Sequence, residues 1–410
     1  MEQARSLPVL TVPDTGAKQQ ILKLGAEHLN KCYQCGTCSV VCPLTPDTSA
    51  FPRKEMAWAQ WGLSDKLAAD GDAWLCHQCN ECNSHCPRGA MPGDLMAAVR
   101  HFQIEHYSFP KWLSKATSAP KMLPLALVPP AILTALMLFF AVLLPNGGLV
   151  FPDRAALEEE YGKGILFEAF IPHIYIDGFS VIAVGFAVVV LAIAGRRFWQ
   201  AIGNAQPATV QRGFVFSLAS TLVDIATHRF FRFCRANKPR GHAHMGVFYG
   251  FLLLFVATTL AFIYTQFLNK ELSLTIGDPV KVIGNTGGAL LLIGLTWLVW
   301  RRLARPKQAG ASSYFDWYFV GILYAATITG FAVQFVRFGD LLVTSYSLYL
   351  VHLLFYFMLF TYLPFTKFAH IVYRTLALTR ARMTGRTPGK QGTSLTPDGE
   401  LVTVYTETLR

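Results

Sequence analysis

The sequence predicts an all-α protein in two parts, a cysteine-rich helical domain followed by a bundle of six transmembrane helices. Three observations carry this. The 410 residues are 52% hydrophobic and only 15% charged, with a mean hydropathy of +0.35, too apolar for a soluble chain of this length. The long apolar runs all lie beyond residue 120, and eight of the nine cysteines fall before residue 90 in two tight clusters. The parts are read as residues 1–115, 116–380 and a tail, 381–410.

The first cysteine cluster is Cys32, Cys35, Cys38 and Cys42, and the second is Cys76, Cys79, Cys82 and Cys86; each reads CxxCxxCxxxCP. In a reducing compartment such clustering means metal ligation rather than disulfides. Three thiolates two residues apart wrap three corners of a cubane, and the fourth, before proline, leaves to ligate the other cluster. The expected sets are therefore Cys32, Cys35, Cys38 and Cys86 for one [4Fe-4S] cluster, and Cys76, Cys79, Cys82 and Cys42 for the other. Zinc takes four ligands and has no use for eight thiolates in a repeated spacing. The 33 residues between the motifs have helical periodicity, which makes this an α-helical ferredoxin domain. Trp58, Trp61 and Trp74 read as core packing.

Six stretches are long enough to span a bilayer, at about 121–144, 165–195, 244–266, 282–300, 317–337 and 344–370, and the last five form one bundle. Residues 196–242 carry eight Lys/Arg against one acid and RRLARPK (301–307) is wholly basic in charge, so both loops face the cytoplasm. Residues 145–172, with five acids and two basic residues, face the other side. The opening MEQARSLPVLTVPDTGAKQQ is polar and shows no export signal. The expectation is a multi-pass inner-membrane protein, in contact with lipid, with its cysteine domain and both termini in the cytoplasm. The net charge of +11 belongs largely to these loops and implies no nucleic-acid partner. Residues 212–236 mix apolar and basic residues and read as an interfacial helix. Its Cys234 reads as structural and its His228 as a surface histidine beside Arg229.

Histidines inside membrane spans are costly and functional by default. His352 and His370 lie 18 residues apart, five turns on one helix face and roughly 27 Å along the axis, so one helix offers an axial ligand to each of two stacked b haems. The bundle is then a five-helix haem-b core. His244, which opens the third span, pairs with His370, with His242 as the alternative; His173 pairs with His352 at the outer end. Near that end Asp177, Lys281 and Arg337 are polar candidates for a quinone site, Asp177 as a proton acceptor, whereas Lys281 reads as snorkelling to the interface.

The membrane part resembles the gamma subunit of respiratory nitrate reductase and the membrane subunit of heterodisulfide reductase. HLLFYFMLFTYLPFTKFAH, from His352 to His370, repeats that histidine spacing with Pro364 and Phe365 before the second histidine, and RGHAHMGVFYGF places His244 in a ligand position. Where that family has a histidine ten residues further on, this chain has Leu254, which leaves open a single-haem design in which His352 is a buried polar group or a quinone ligand. The cysteine domain resembles the small iron–sulfur subunit of heterodisulfide reductase. The fusion of both modules resembles the membrane subunits of quinone-interacting membrane-bound oxidoreductases. That resemblance implies b haems, two [4Fe-4S] clusters, menaquinone or another quinone, flavin-containing heterodisulfide reductase A-like partner subunits, and electron exchange with adenylylsulfate reductase in sulfate respiration. The expected function is electron transfer within a quinone-linked complex. The alternatives are a membrane component of a heterodisulfide reductase-like or sulfite reductase-linked complex, or a haem-containing anchor without a quinone site. A transporter fits least, because no repeated broken-helix pattern occurs.

Overall fold

The computed structural model describes residues 12–45, 49–153, 155, 165–205, 208–232, 238–268, 276–304, 309–310, 312–339, 341–386, 392–395 and 401–404. Cys234 lies outside them. The chain divides into two compact units: Met1–Tyr107 with Gly195–Phe233 and His370–Arg410, and Ser108–Ala194 with Cys234–Ala369.

The first unit packs short helices, among them Thr15–Lys23, Arg53–Gln60, Ser64–Ala68 and Asp72–Leu75, around the helix Pro92–Tyr107. Their meeting face is the core of Ile21, Leu29, Met56, Leu67, Trp74, Met96 and Val99, each at most 2% exposed. Asp14 starts the first helix by accepting the Ala17 N–H at 2.9 Å, satisfying one of its orphan donors. The helix after the second CP pair begins at Pro92, where a missing N–H costs nothing.

The same unit contains the helices Phe214–Ala226 and His370–Met383. Phe214–Ala226 is reversed in polarity. Ser217 and Thr221 are fully buried and Asp224 pairs with Arg382 in the interior, whereas Val215, Phe216 and Val223 are 78%, 60% and 61% exposed. An apolar outer face on a polar inner one suits a helix at a lipid interface, the location expected for residues 212–236. His228 departs from that expectation. It is 5% exposed, left-handed at φ 51°, and stacked on Phe231 with ring centroids 5.7 Å apart. The turn ending the helix folds the imidazole inward, and burial keeps it below its usual pKa. Trp61, expected in the core, is 62% exposed, because it stands just past the end of Arg53–Gln60.

Among the described residues, six helices are long and apolar enough to cross a membrane: Pro120–Asn146, His173–Ala205, Pro239–Gln266, Pro279–Ala304, Tyr314–Arg337 and Leu342–Phe365. The first ends at Gly147, whose φ of 65° is the left-handed stop that glycine makes cheaply. The second begins at His173, eight residues later than expected, because Phe167 to Pro172 form turns that pack on Tyr346. A short antiparallel hairpin, Gly392–Leu395 with Leu401–Val404, lies in the tail.

The sixth span is not the single helix expected from His352 to His370. Its α-helix stops at Tyr362, two short 3-10 turns follow, and a new helix starts at His370. Pro364 has no N–H to continue the ladder, and Thr366 turns extended at ψ 179°. The freed carbonyl of Phe365 accepts the Thr117 hydroxyl at 2.9 Å, so the break leaves it satisfied in the second unit's interior. His352 and His370 therefore do not stand on one continuous helix, the condition on which the expected spacing of roughly 27 Å rests.

The third and fourth spans approach closely through glycines. A Cβ on Gly250 would stand 2.5 Å from the Leu291 nitrogen and 2.7 Å from the Gly287 oxygen, and one on Gly294 would stand 2.6 Å from the Ala243 oxygen. Gly250→Ala should therefore force the helices apart, costing about 1–3 kcal/mol despite its better helix propensity, and should lower the thermal midpoint in detergent. Gly185→Ala, which meets nothing within 4 Å, should be neutral or slightly stabilising; equal midpoints for the two variants would refute the close-packing account.

Candidate functional site

The two cysteine loops are built alike. In both, a glutamine precedes the second cysteine, as Cys32-Tyr33-Gln34-Cys35 and Cys76-His77-Gln78-Cys79. Gln34 and Gln78 are left-handed at φ 64° and 51°, and the residues two further on, Gly36 and Asn80, are left-handed at 87° and 66°. This winding turns backbone donors inward. The Gln34 N–H reaches Cys32 Sγ at 3.4 Å and the Gln78 N–H reaches Cys76 Sγ at 3.3 Å, while Ala90 N–H donates to Cys86 Sγ at 3.3 Å. Such concave rows of N–H groups suit a negatively charged centre. Each loop is tied from behind: Gln60 Nε2 donates to the Cys32 oxygen at 2.7 Å, and Arg100 holds the Cys76 oxygen at 3.0 Å and the Gln78 side chain at 3.1 Å.

The sulfurs stand in crossed neighbourhoods. Burial and then the neighbouring thiolates of Cys32 and Cys35 push the Cys38 thiol up to about 11. Cys42 is pushed up to about 12, by burial and then by Cys76 ahead of Cys79. Cys82 is raised by burial, then by Cys76 and Cys42, and Cys32 by burial and also by Cys86. Cys35 is exposed, and a hydrogen bond from Thr37 lowers its pKa. Thiols that raise one another inside a protein need a cationic core to ionise, so the donor set fits polynuclear iron. A lone zinc with bonds of ~2.3 Å needs sulfurs about 3.8 Å apart. Among the described residues, the one group of three ligand atoms within 4.8 Å of one another is Glu55, Asp70 and Asp72, not a cysteine trio.

That acidic trio is structural. All three side chains are at most 2% exposed, and Lys54 pairs with Glu55 at 3.2 Å, Asp70 at 3.5 Å and Asp72, which also pairs with Arg386. Burial raises the Glu55 and Asp70 carboxyls, helped by the charges on their acidic neighbours.

In the second unit His352 lies in the sixth span with Nδ1 3.0 Å from Thr329 Oγ1. The Thr329 proton goes to the Ala325 carbonyl at 2.6 Å, so its oxygen accepts from Nδ1–H, which leaves the lone pair on Nε2. A Cβ on Gly330 would lie 3.1 Å from Cε1 of the same ring, so the imidazole sits close against a residue that has no side chain. An imidazole fixed in this tautomer suits an axial ligand of a haem. His173 opens the second span, its Nε2 3.6 Å from Glu168, and Asp177 one turn on accepts from Gln266 Nε2 at 2.7 Å. Arg337 lies 5.6 Å over the Phe167 ring, and Lys281 is half-buried near the start of the fourth span. His244 is half-buried near the start of the third span and His242 is exposed; His370 belongs to the first unit, as the first residue of its helix.

The residues that brace the cysteine loops and His352 carry little signal in the sequence. Gln34 and Gln78 were visible as a repeated Cys-x-Gln-Cys. Gln60, Arg100 and Thr329 come from elsewhere in the chain, where no local pattern marks them. Removing the shared cation tests the acidic trio: Lys54→Met should cost about 3–5 kcal/mol, read as a lower thermal midpoint. Glu55 and Asp70 hold protons more tightly folded than unfolded, so stability falls as pH rises, and the loss should be larger in alkaline than in mildly acidic buffer. A pH-independent loss would refute this account.

Residues 28–90 match the 4Fe-4S dicluster domain, and residues 127–391 match the family described as citrate utilization protein B. The heterodisulfide reductase C-subunit-like protein of Archaeoglobus profundus is 39% identical over 89 residues, 22% of this chain and 47% of that protein. The C-subunit of the H(2):CoB-CoM heterodisulfide,ferredoxin reductase of Methanothermobacter marburgensis is 32% identical over 88 residues, 22% of this chain and 48% of that one. The chain thus spans about half the length of these relatives. The citrate utilization protein B of Escherichia coli is 27% identical over 321 residues, 74% of this chain and 79% of that protein. No solved structure matches. The cysteine loops thus belong to an iron–sulfur domain like that of the heterodisulfide reductase C-subunit, and since one family accounts for well over half of the sequence, the chain belongs to the citrate utilization protein B family.

Proposed function

We propose that this chain is the membrane electron-transfer subunit of a quinone oxidoreductase complex, linking menaquinol or quinone, b haems and two [4Fe-4S] clusters to soluble flavin- and iron–sulfur-containing subunits. The observation that carries the reading is the pair of like-wound cysteine loops with crossed neighbourhoods, in a chain that also has six potential spans and a tautomer-fixed histidine inside one of them. When bound, these groups supply one-electron carriers.

The chain's own residues supply the rest. Cys32, Cys35, Cys38 and Cys86 are the proposed ligands of one cluster, and Cys76, Cys79, Cys82 and Cys42 of the other. His173, His244, His352 and His370 are the proposed haem ligands. The Gln34 and Gln78 N–H groups lower the cost of negative charge on the sulfurs, and Thr329 keeps Nε2 of His352 free of its proton. Asp177 is the proposed acceptor of a quinol proton at its carboxylate, steadied by Gln266, with Arg337 as the second polar candidate. The basic loops support a cytoplasmic iron–sulfur domain.

The architectural resemblance supports adenylylsulfate reductase as the soluble electron partner. The family supports a partner acting in citrate utilization, and this second reading is favoured because that relative matches 74% of the chain, whereas the heterodisulfide reductase relatives match 22%.

Three outcomes test the reading. The purified chain should hold about eight iron atoms, and Cys38→Ser should remove one of two cluster signals in electron paramagnetic resonance (EPR) while the haem spectrum stays. Zinc in place of iron, or a single cluster in the parent chain, would defeat it. A quinol analogue should reduce the haems of the isolated chain; a haem anchor without a quinone site would not respond. Protease added to spheroplasts should leave residues 1–110 uncut, and cleavage there without lysis would reverse the topology.

A further inference from the structure

We propose that the cluster on Cys76, Cys79, Cys82 and Cys42 is the one that exchanges electrons with a haem at His370, and that Arg374 is the positioning residue that joins its loop to the His370 helix and holds its reduction potential up. This rests on the reading above that His370 is a haem ligand.

Within the first unit, the helix beginning at His370 meets the second cysteine loop directly. Tyr373 and Arg374 follow His370 by one turn, on the same side and about 5 Å along the axis. The Tyr373 ring stacks on Trp74 with centroids 5.1 Å apart and planes 17° off parallel, and both residues are at most 2% exposed. Trp74 is two residues before Cys76. Arg374 Nη1 donates to the Cys76 oxygen at 3.2 Å, and its guanidinium lies 5.4 Å from the Phe230 ring. Phe230 in turn packs on His77, the residue after Cys76, at 5.7 Å.

The first loop is placed differently. Its carbonyl at Cys32 is held by the neutral Gln60, its Cys35 is exposed, and Tyr33 and Val40 are 58% and 86% exposed. One loop is thus seated on the helix that His370 starts, and the other opens to the surface.

A cubane with four thiolates is negative and gains one more negative charge on reduction, so a permanent cation one carbonyl away favours the reduced form. Each exchange moves one electron, the cluster gaining the charge that the haem iron loses or the reverse, and needs no proton. Arg100 donates to the same Cys76 oxygen at 3.0 Å. Removing the Arg374 guanidinium therefore leaves that carbonyl satisfied and takes away mainly charge.

The test is a potentiometric EPR titration of the full chain carrying Arg374→Gln or Arg374→Lys. Arg374→Gln should shift one cluster's midpoint downward, the signal that Cys79→Ser abolishes, and leave the signal that Cys35→Ser abolishes unmoved; Arg374→Lys should restore most of the shift. A second measurement needs no Arg374 variant. The Cys79-dependent signal should relax faster when the haem is oxidised, and His370→Ala should remove that enhancement. No shift, a shift of the Cys35-dependent signal, or faster relaxation of that signal would overturn the proposal. Absence of two clusters or of haem in the parent chain would instead show that the underlying functional reading had failed.

Discussion

The constraint on which the first unit depends is the cost of ionising sulfur away from water. Cys38, Cys42 and Cys82 are each disfavoured as thiolates by burial and then by neighbouring thiolates. A small domain accepts such a set only if a positive core neutralises it and donors line its walls. The winding of the two loops answers the second need: left-handed glutamines aim N–H groups at Cys32 and Cys76, and side chains from distant helices hold the loops in that form. The helices between and after the motifs serve that end, since Arg53–Gln60 brings Gln60 and Pro92–Tyr107 brings Arg100. The acidic trio around Lys54 stiffens the same region through Asp70, whose carboxylate accepts the N–H groups of Asp72 and Ala73.

In the second unit the governing need is to keep backbone polar groups satisfied where water is scarce. Regular helix does most of this, and the exceptions are managed one at a time. Hydroxyls of Thr258, Thr259, Thr296 and Thr327 bond back to carbonyls four residues earlier in their own helices. The break at Pro364 gives its free carbonyl to Thr117. Glycines at 246, 250, 287 and 294 let two spans meet almost backbone to backbone, which replaces side-chain burial with dispersion contacts.

Much of this was legible in the chain's own letters. The cysteine spacing predicted a metal-binding helical domain, and apolar run length located the six long helices found among the described residues to within a few residues, except at both ends of the second and at the far end of the sixth. Those ends show what run length misses. The stretch before His173 is apolar enough to span, yet Phe167 and Phe170 are used to pack Tyr346 in turns. At the sixth span the periodicity ran on through Pro364, but a missing N–H outweighed it. His228 looked exposed because Arg229 follows it, and only the left-handed turn at its own backbone sends the ring inward. Trp61 looked buried because tryptophan usually is. Arg374 and Thr329 had no local signal at all, because their importance lies in what other segments bring to them.

The first unit is assembled from three stretches that are far apart along the chain. Asp72 closes its charge with Arg386, Trp74 closes its stack with Tyr373, and Asp224 closes with Arg382. In terms of gene architecture, the compact unit that holds the cysteine loops is not one continuous cassette. A split after residue 115 would strand one side of the Asp72 and Trp74 contacts on the other polypeptide, so a two-gene version would have to replace those contacts or make them again across a subunit boundary.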